Sequence, residues 1–150
     1  MEESLRWEEN LTNSMWEHLQ LGDIDPKTMS PLVLAYIGDS IYDLAVRTFV
    51  ISKGNMQVNK LNRHACSLVK AEMQSKMVGF LEPLLKPNEE AVYKRGRNAK
   101  SYTSAKNASI TDYRRATGFE ALMGYLYLNG EYNRMMELIR EGLKQIGEIE

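Results

Sequence analysis

The chain has 150 residues, 43% of them apolar and 26% charged, and its 19 basic and 20 acidic side chains nearly cancel. That length suits one domain with a sizeable core, and the balance excludes both a disordered chain and a uniformly basic nucleic-acid binder. A lone cysteine, Cys66, excludes an internal disulfide and fits a reducing compartment.

The average conceals an asymmetry along the chain. Residues 1–30 carry seven acids against two bases, whereas residues 91–115 carry seven bases against Asp112 alone. A basic tract therefore stands inside a neutral chain. The N-terminus is acidic and lacks the basic-then-apolar pattern of a signal peptide. The longest apolar run contains Asp39, Asp43 and Arg47, too much charge for a membrane span. The expectation is a soluble, cytoplasmic protein with no membrane partner.

Residues 4–20 read as an amphipathic helix with Leu5, Trp7, Leu11, Met15, Trp16 and Leu19 on its apolar side, expected to dock on the body. Residues 1–30 form an acidic helical extension, and Ser30-Pro31 supplies a cap and a first-turn proline for the next helix. In that helix Leu34, Ile37, Ile41, Leu44, Ala45 and Phe49 form the expected buried stripe. Asp39 lies off the stripe, and Asp43 is placed to pair with Arg47 at i,i+4. Gly38 beside Asp39 marks a place where another backbone or a ligand comes close. The helix is expected to end near Lys53-Gly54-Asn55, with glycine as the left-handed cap.

A second helical tract runs from about Val58 to Leu85, with a break near Val69 to Glu72. Its core side is read as Leu61, Ala65, Leu68, Val69, Met73, Met77, Phe80, Leu81 and Leu84. Lys86-Pro87 stops it, and Asn88-Glu89-Glu90 caps a short helix through about Ala99. Residues 100–110 have no periodicity and read as a loop. The segment from about Thr111 to Leu128 buries Ala116, Phe119, Leu122, Met123 and Leu126. Tyr132 to Ile146 closes the chain with Met135, Leu138, Ile139, Leu143 and Ile146 apolar. No alternating strand pattern occurs, so the predicted fold is all-α.

Asp39 as a metal ligand requires a second carboxylate, and the candidate is Glu120. It lies in an apolar helix between Ala116 and Gly124, small neighbours that admit another helix or a hydrated ion. A buried glutamate wants a cation. Spacing alone leaves open whether that is a metal or a base such as Arg115. His18, His64 and Cys66 do not make a zinc site, and no phosphate loop or nucleophile elbow is present. The basic stretch Tyr93-Lys94-Arg95-Gly96-Arg97-Asn98-Ala99-Lys100-Ser101 runs into a hydroxyl-rich loop. Lysine and arginine neutralise phosphates while Ser, Thr and Asn donate to phosphate and sugar oxygens, a composition suited to nucleic acid.

Tyr36-Ile37-Gly38-Asp39-Ser40-Ile41 resembles the F-L-G-D-[AS]-[VI] signature of the ribonuclease III catalytic domain. The segment from Phe119 to Leu128 resembles that family's F-E-A-L-x-G-x-x-Y-L helix. With the basic run between them, the order is similar to the Mini-ribonuclease III branch, short bacterial members without a double-stranded-RNA-binding domain. The resemblance covers about Pro31 to Leu128. It implies an all-α homodimer with residues 31–150 as catalytic domain, and hydrolysis of both strands of double-stranded RNA to staggered ends. It implies Mg²⁺ held by Asp39 and Glu120 as catalytic and metal-binding carboxylates. RNA would be gripped by Arg95, Arg97, Asn98, Lys100, Thr103 and Lys106. Where larger members carry two further carboxylates, this chain has Ala35 and Thr117, as the short branch also does. The implied substrate is the 23S ribosomal RNA precursor, with a ribosomal protein as a possible partner. The competing expectation is a catalytically silent RNA-binding ribosome-assembly factor on the same fold.

Overall fold

The computed structural model describes residues 10–100 and 109–150. Among them the helices are α1 (Leu11–His18), α2 (Pro31–Ser52), α3 (Val58–Val69), α4 (Ala71–Leu81), α5 (Pro87–Asn98), α6 (Ile110–Leu128) and α7 (Tyr132–Gln145), with 3₁₀ turns at Pro26–Thr28 and Glu82–Leu84. No strand occurs among the described residues, so the domain is all-α.

Local chemistry accounts for the boundaries. The Ser30 hydroxyl accepts from the Leu32 N–H at 3.2 Å, and Pro31 takes the first helical position. Helix α2 ends at Ser52, and Gly54 follows with φ 148°. The break in the second tract falls at Lys70, which is at once the end of α3 and the start of α4 in extended conformation. Lys86-Pro87 starts α5 as well as stopping the previous tract. Here the expected cap at Asn88 is corrected: Lys86 is the cap residue, and the Glu89 carboxylate accepts its backbone N–H at 2.8 Å.

Helix α6 is the axis of the domain. Every residue from Ala121 to Tyr127 is buried, and α2, α4, α5 and α7 all pack on it. A helix buried on all sides has no amphipathic stripe, so its five expected core residues were only half of its buried surface. The most extensive contact is with α2, where Tyr42 meets Phe119 edge-on with ring centroids 5.1 Å apart. The Tyr42 hydroxyl donates to the Leu68 carbonyl at 2.9 Å, tying α2 to the end of α3.

Two apolar stripes require correction. In α2 the buried residues are Leu34, Ala35, Gly38, Tyr42, Val46 and Val50, not the predicted stripe, of which only Leu34 is fully buried. The helix packs through its glycine and a buried tyrosine, and Leu44 points to solvent. In the second tract Phe80 and Leu84 are likewise exposed, while Val78 takes the core position. The N-terminal helix is shorter than expected, contains no buried residue, and touches the core through Met15. Residues 1–9, including Leu5 and Trp7, lie outside the described residues. The expected Asp43–Arg47 pair is present at 3.0 Å.

Candidate active site

Asp39 and Glu120 come from the two helices that pack most closely. Gly38 faces α6 so tightly that a Cβ there would overlap the Glu120 carbonyl, and a Cβ on Gly124 would overlap the Leu34 carbonyl. The two glycines thus let the α2 and α6 backbones touch, one turn apart along α6. Asp39, the next residue along α2, is thereby brought to the Glu120 carboxylate at an open edge of the contact.

The electrostatics of this pair are unusual. Burial first, and then the neighbouring Asp39 carboxylate, together push the Glu120 carboxyl up to about 9. Among the described residues no lysine or arginine pairs with either acid. The alternative partner, Arg115, instead faces Glu82 at 3.8 Å. The open choice between a base and a metal for Glu120 is therefore decided against Arg115. Two carboxylates forced together without a protein cation are the donor set of a hard, oxygen-seeking divalent ion.

These residues fit such an ion, although no group of three His, Cys, Asp or Glu suitable for a metal occurs among the described residues. Ala35 is buried against the core, and the Thr117 hydroxyl donates to the Tyr113 carbonyl at 3.0 Å. Neither position supplies a further carboxylate.

The basic tract divides into distinct environments. Arg97 stacks over Tyr93 at 5.7 Å and its Nε donates to Asn98 at 3.2 Å. With Asn98, Thr111, Arg114 and Arg115 it lines a cleft of about 310 Å³ between the end of α5 and the start of α6. Arg95 donates to the Met29 carbonyl at 3.2 Å, and Lys100 is exposed. Thr103 and Lys106 lie outside the described residues.

Gln74 was missed from sequence. It lies on α4, 2% exposed, and its amide interacts with the Glu120 carboxyl. The available signal was a polar residue set between Met73 and Met77 on a core-facing helix. Glu89 was likewise read only as a capping acid. It is fully buried and gripped by Arg134, whose Nε and Nη2 donate to its two oxygens at 2.9 Å each.

An all-helical domain with an acidic pair at a glycine-mediated helix crossing and a separate arginine-lined cleft is the architecture of a metal-assisted nuclease. The family profile of the ribonuclease III domain matches residues 32–131. The chain is 52% identical over 117 residues to the Mini-ribonuclease 3 of Clostridium tetani, covering 77% of this chain and 78% of that relative. It is 46% identical over 126 residues to the Mini-ribonuclease 3 of Enterococcus faecalis, covering 83% and 96%. A crystal structure of a protein from Fusobacterium nucleatum superposes with a TM-score of 0.72 at 26% identity, covering 79% of this chain and 94% of that one. The chain belongs to the ribonuclease III family, in its Mini-ribonuclease branch. No helix among the described residues is long and apolar enough to cross a membrane.

Proposed function

We propose that this ribonuclease III-type endoribonuclease cleaves double-stranded RNA with Mg²⁺ held by Asp39 and Glu120. The observation that carries the reading is the carboxylate pair itself, crowded together with no basic side chain among the described residues to neutralise it. Asp39 and Glu120 would hold a divalent ion, which would supply Lewis-acid activation of water and offset charge on the phosphate oxygens. The chain's own contribution is placement. Gly38 and Gly124 fix the separation of the helices, so Asp39 and Glu120 are aligned by backbone contact. The cleft of Arg97, Asn98, Arg114 and Arg115 is suited to the backbone of a duplex, whose A-form grooves favour recognition by shape and phosphate.

The functional unit in this reading is a homodimer. Val33, Tyr36, Leu44 and Ile51 share the side of α2 turned away from the core, and Tyr36 is 81% exposed. Ile41, Leu44, Ala45 and Phe49 of α2, with Met135 and Met136 of α7, line an apolar groove of about 420 Å³. Such a surface on a domain of this size marks an interface. A two-fold partner on it would place two sites across one duplex. Sedimentation that finds an active monomer at micromolar concentration refutes this arrangement.

The cellular substrate we assign is the 23S ribosomal RNA precursor, in the cytoplasm, within a pre-ribosome that also holds ribosomal protein. Support comes from the family membership and from the exposed free thiol of Cys66, which suits a reducing compartment. The decisive experiment is incubation with perfect duplex RNA in Mg²⁺ or chelator. Mg²⁺-dependent cuts on both strands are expected. Binding without product would replace this reading by the silent assembly factor, consistent with the missing carboxylates at Ala35 and Thr117.

A further inference from the structure

Gln74 is a polar side chain that the core does not explain. It sits on α4 between core residues, 2% exposed, and its Nε2 donates to the Val69 carbonyl at 2.8 Å. A carbonyl can only accept, so this bond orients the amide, with nitrogen toward Val69 and oxygen away from it. The oxygen is then buried without any hydrogen-bond partner. Native structures rarely leave a buried acceptor orphaned, and each such case asks for a missing donor.

The surroundings say where that donor would come from. The Gln74 amide turns an N–H to the Glu120 carboxyl, the same group that meets Asp39, which sets the amide beside the acidic pair. Ionised carboxylates offer acceptors only, so neither acid can satisfy the amide oxygen while holding a cation. The hydration shell of that cation can. Ala35 and Thr117 supply no oxygen to it from a carboxylate, which leaves room for a neutral one.

We propose that Gln74 is a positioning residue of the cation site, its amide oxygen accepting from the hydration shell of the ion held by Asp39 and Glu120. The inference rests on the reading of that pair as the metal site. The amide acts as a third oxygen without adding negative charge, and its bond to Val69 holds it in register with the α3–α4 corner.

Mn²⁺ titration of the full chain, followed by loss of the free-ion EPR signal, tests this without reference to cleavage. Wild type, Gln74→Met, Gln74→Glu and Glu120→Gln are compared, with helical circular dichroism confirming the fold. Gln74→Met is expected to weaken Mn²⁺ binding about 10-fold or more, as removal of outer-shell partners does. Gln74→Glu keeps oxygen at the position and is expected to bind at least as tightly as wild type. Equal affinity of Gln74→Met and wild type, with binding lost in Glu120→Gln, overturns the role of Gln74 and leaves the acidic pair standing. Equal weakening in both Gln74 variants assigns the effect to the lost Val69 bond and also overturns it. If Glu120→Gln binds like wild type, the pair is not the site and both readings fall. Should Gln74→Met not fold, Gln74→Glu decides alone: a loss of about 10-fold or more overturns the proposal, and wild-type or tighter binding supports it.

Discussion

The backbone carbonyl of Glu120 lies against the Cα of Gly38, the residue immediately before Asp39. One contact therefore sets both the packing of the two longest helices and the geometry of the acidic pair. Gly38→Ala forces a methyl into that carbonyl, and no side chain can rotate away to make room. Overpacking of this kind costs about 1–3 kcal/mol, more where backbone is the obstacle. Urea denaturation should show a loss at or above the top of that range, and Gly124→Ala should behave alike.

Cleavage should depend on both acids. Asp39→Asn and Glu120→Gln keep size and remove the charge that a hard cation requires. Each is expected to lower turnover on duplex RNA by at least about 100-fold, the scale of a lost transition-state charge contact. Glu120→Gln should also leave the metal-free fold intact, because a neutral amide replaces a carboxyl that burial already keeps protonated near neutral pH. Turnover near wild type in either variant at ordinary Mg²⁺ refutes the assignment.

The raised Glu120 carboxyl predicts a pH dependence with a definite sign. Its folded value of about 9 lies above the ordinary 4.5, so the folded protein holds the proton more tightly than the unfolded chain. In the metal-free protein this contribution is full below about pH 4.5 and is lost as pH rises toward 9. The melting temperature in chelator should therefore fall across that window, with a shallower fall in Glu120→Gln. Ion binding must also displace the proton, so Mn²⁺ affinity should rise by up to about tenfold per pH unit between 6 and 8. Calorimetry in buffers of different ionisation enthalpy should detect the released proton.

The Glu89–Arg134 pair carries the opposite sign. Burial alone would raise the Glu89 carboxyl, but the Arg134 guanidinium and the Lys86 N–H outweigh it and hold the group below its ordinary value. Its contribution is present above about pH 4.5 and lost as pH falls through the lowered value. Arg134 also donates to the Leu84 carbonyl at 2.9 Å, so one side chain joins α7 to the turn before α5. Arg134→Met should destabilise by about 3–5 kcal/mol, since it leaves a buried charge alone. The stability difference between wild type and variant should narrow progressively as the pH is lowered below about 4.5.

The basic cleft can be read through salt. If Arg97 and Arg114 contact phosphates, alanine at each should weaken binding to all duplex sequences alike. Each should also flatten the log–log salt dependence by something near one unit, as calibrated on B-DNA. Asn98→Ala should matter less, because a neutral hydrogen bond largely exchanges with water. An unchanged salt slope in the Arg97/Arg114 double variant would reduce the cleft to a solvated surface.

Much of this architecture was legible in the residues. Caps and prolines located α2, the break at Lys70 fell within the expected window, and Gly38 next to an acid announced a close approach. What misled was the apolar stripe of α2. Counting aliphatic residues favoured Ile41, Leu44 and Phe49, whereas the helix buries Gly38 and Tyr42, a missing side chain and a hydroxylated one. Tight packing at a glycine leaves no hydrophobic signal. Exposed aliphatics such as Leu44 give a false one. Gln74 and Glu89 escaped for a related reason. Each is a buried polar side chain whose charged or carboxyl partner lies more than forty residues away, Glu120 and Arg134 respectively.

The acidic pair is borne by two helix interiors and by no described loop, which has a consequence for heat. In many enzymes a pliable active-site segment loosens first, and activity disappears below the melting point. Here Asp39 and Glu120 can separate only if α2 leaves α6, and that contact is the largest in the core. Thermal inactivation and global melting should accordingly coincide, with no warm, folded, inactive state between them.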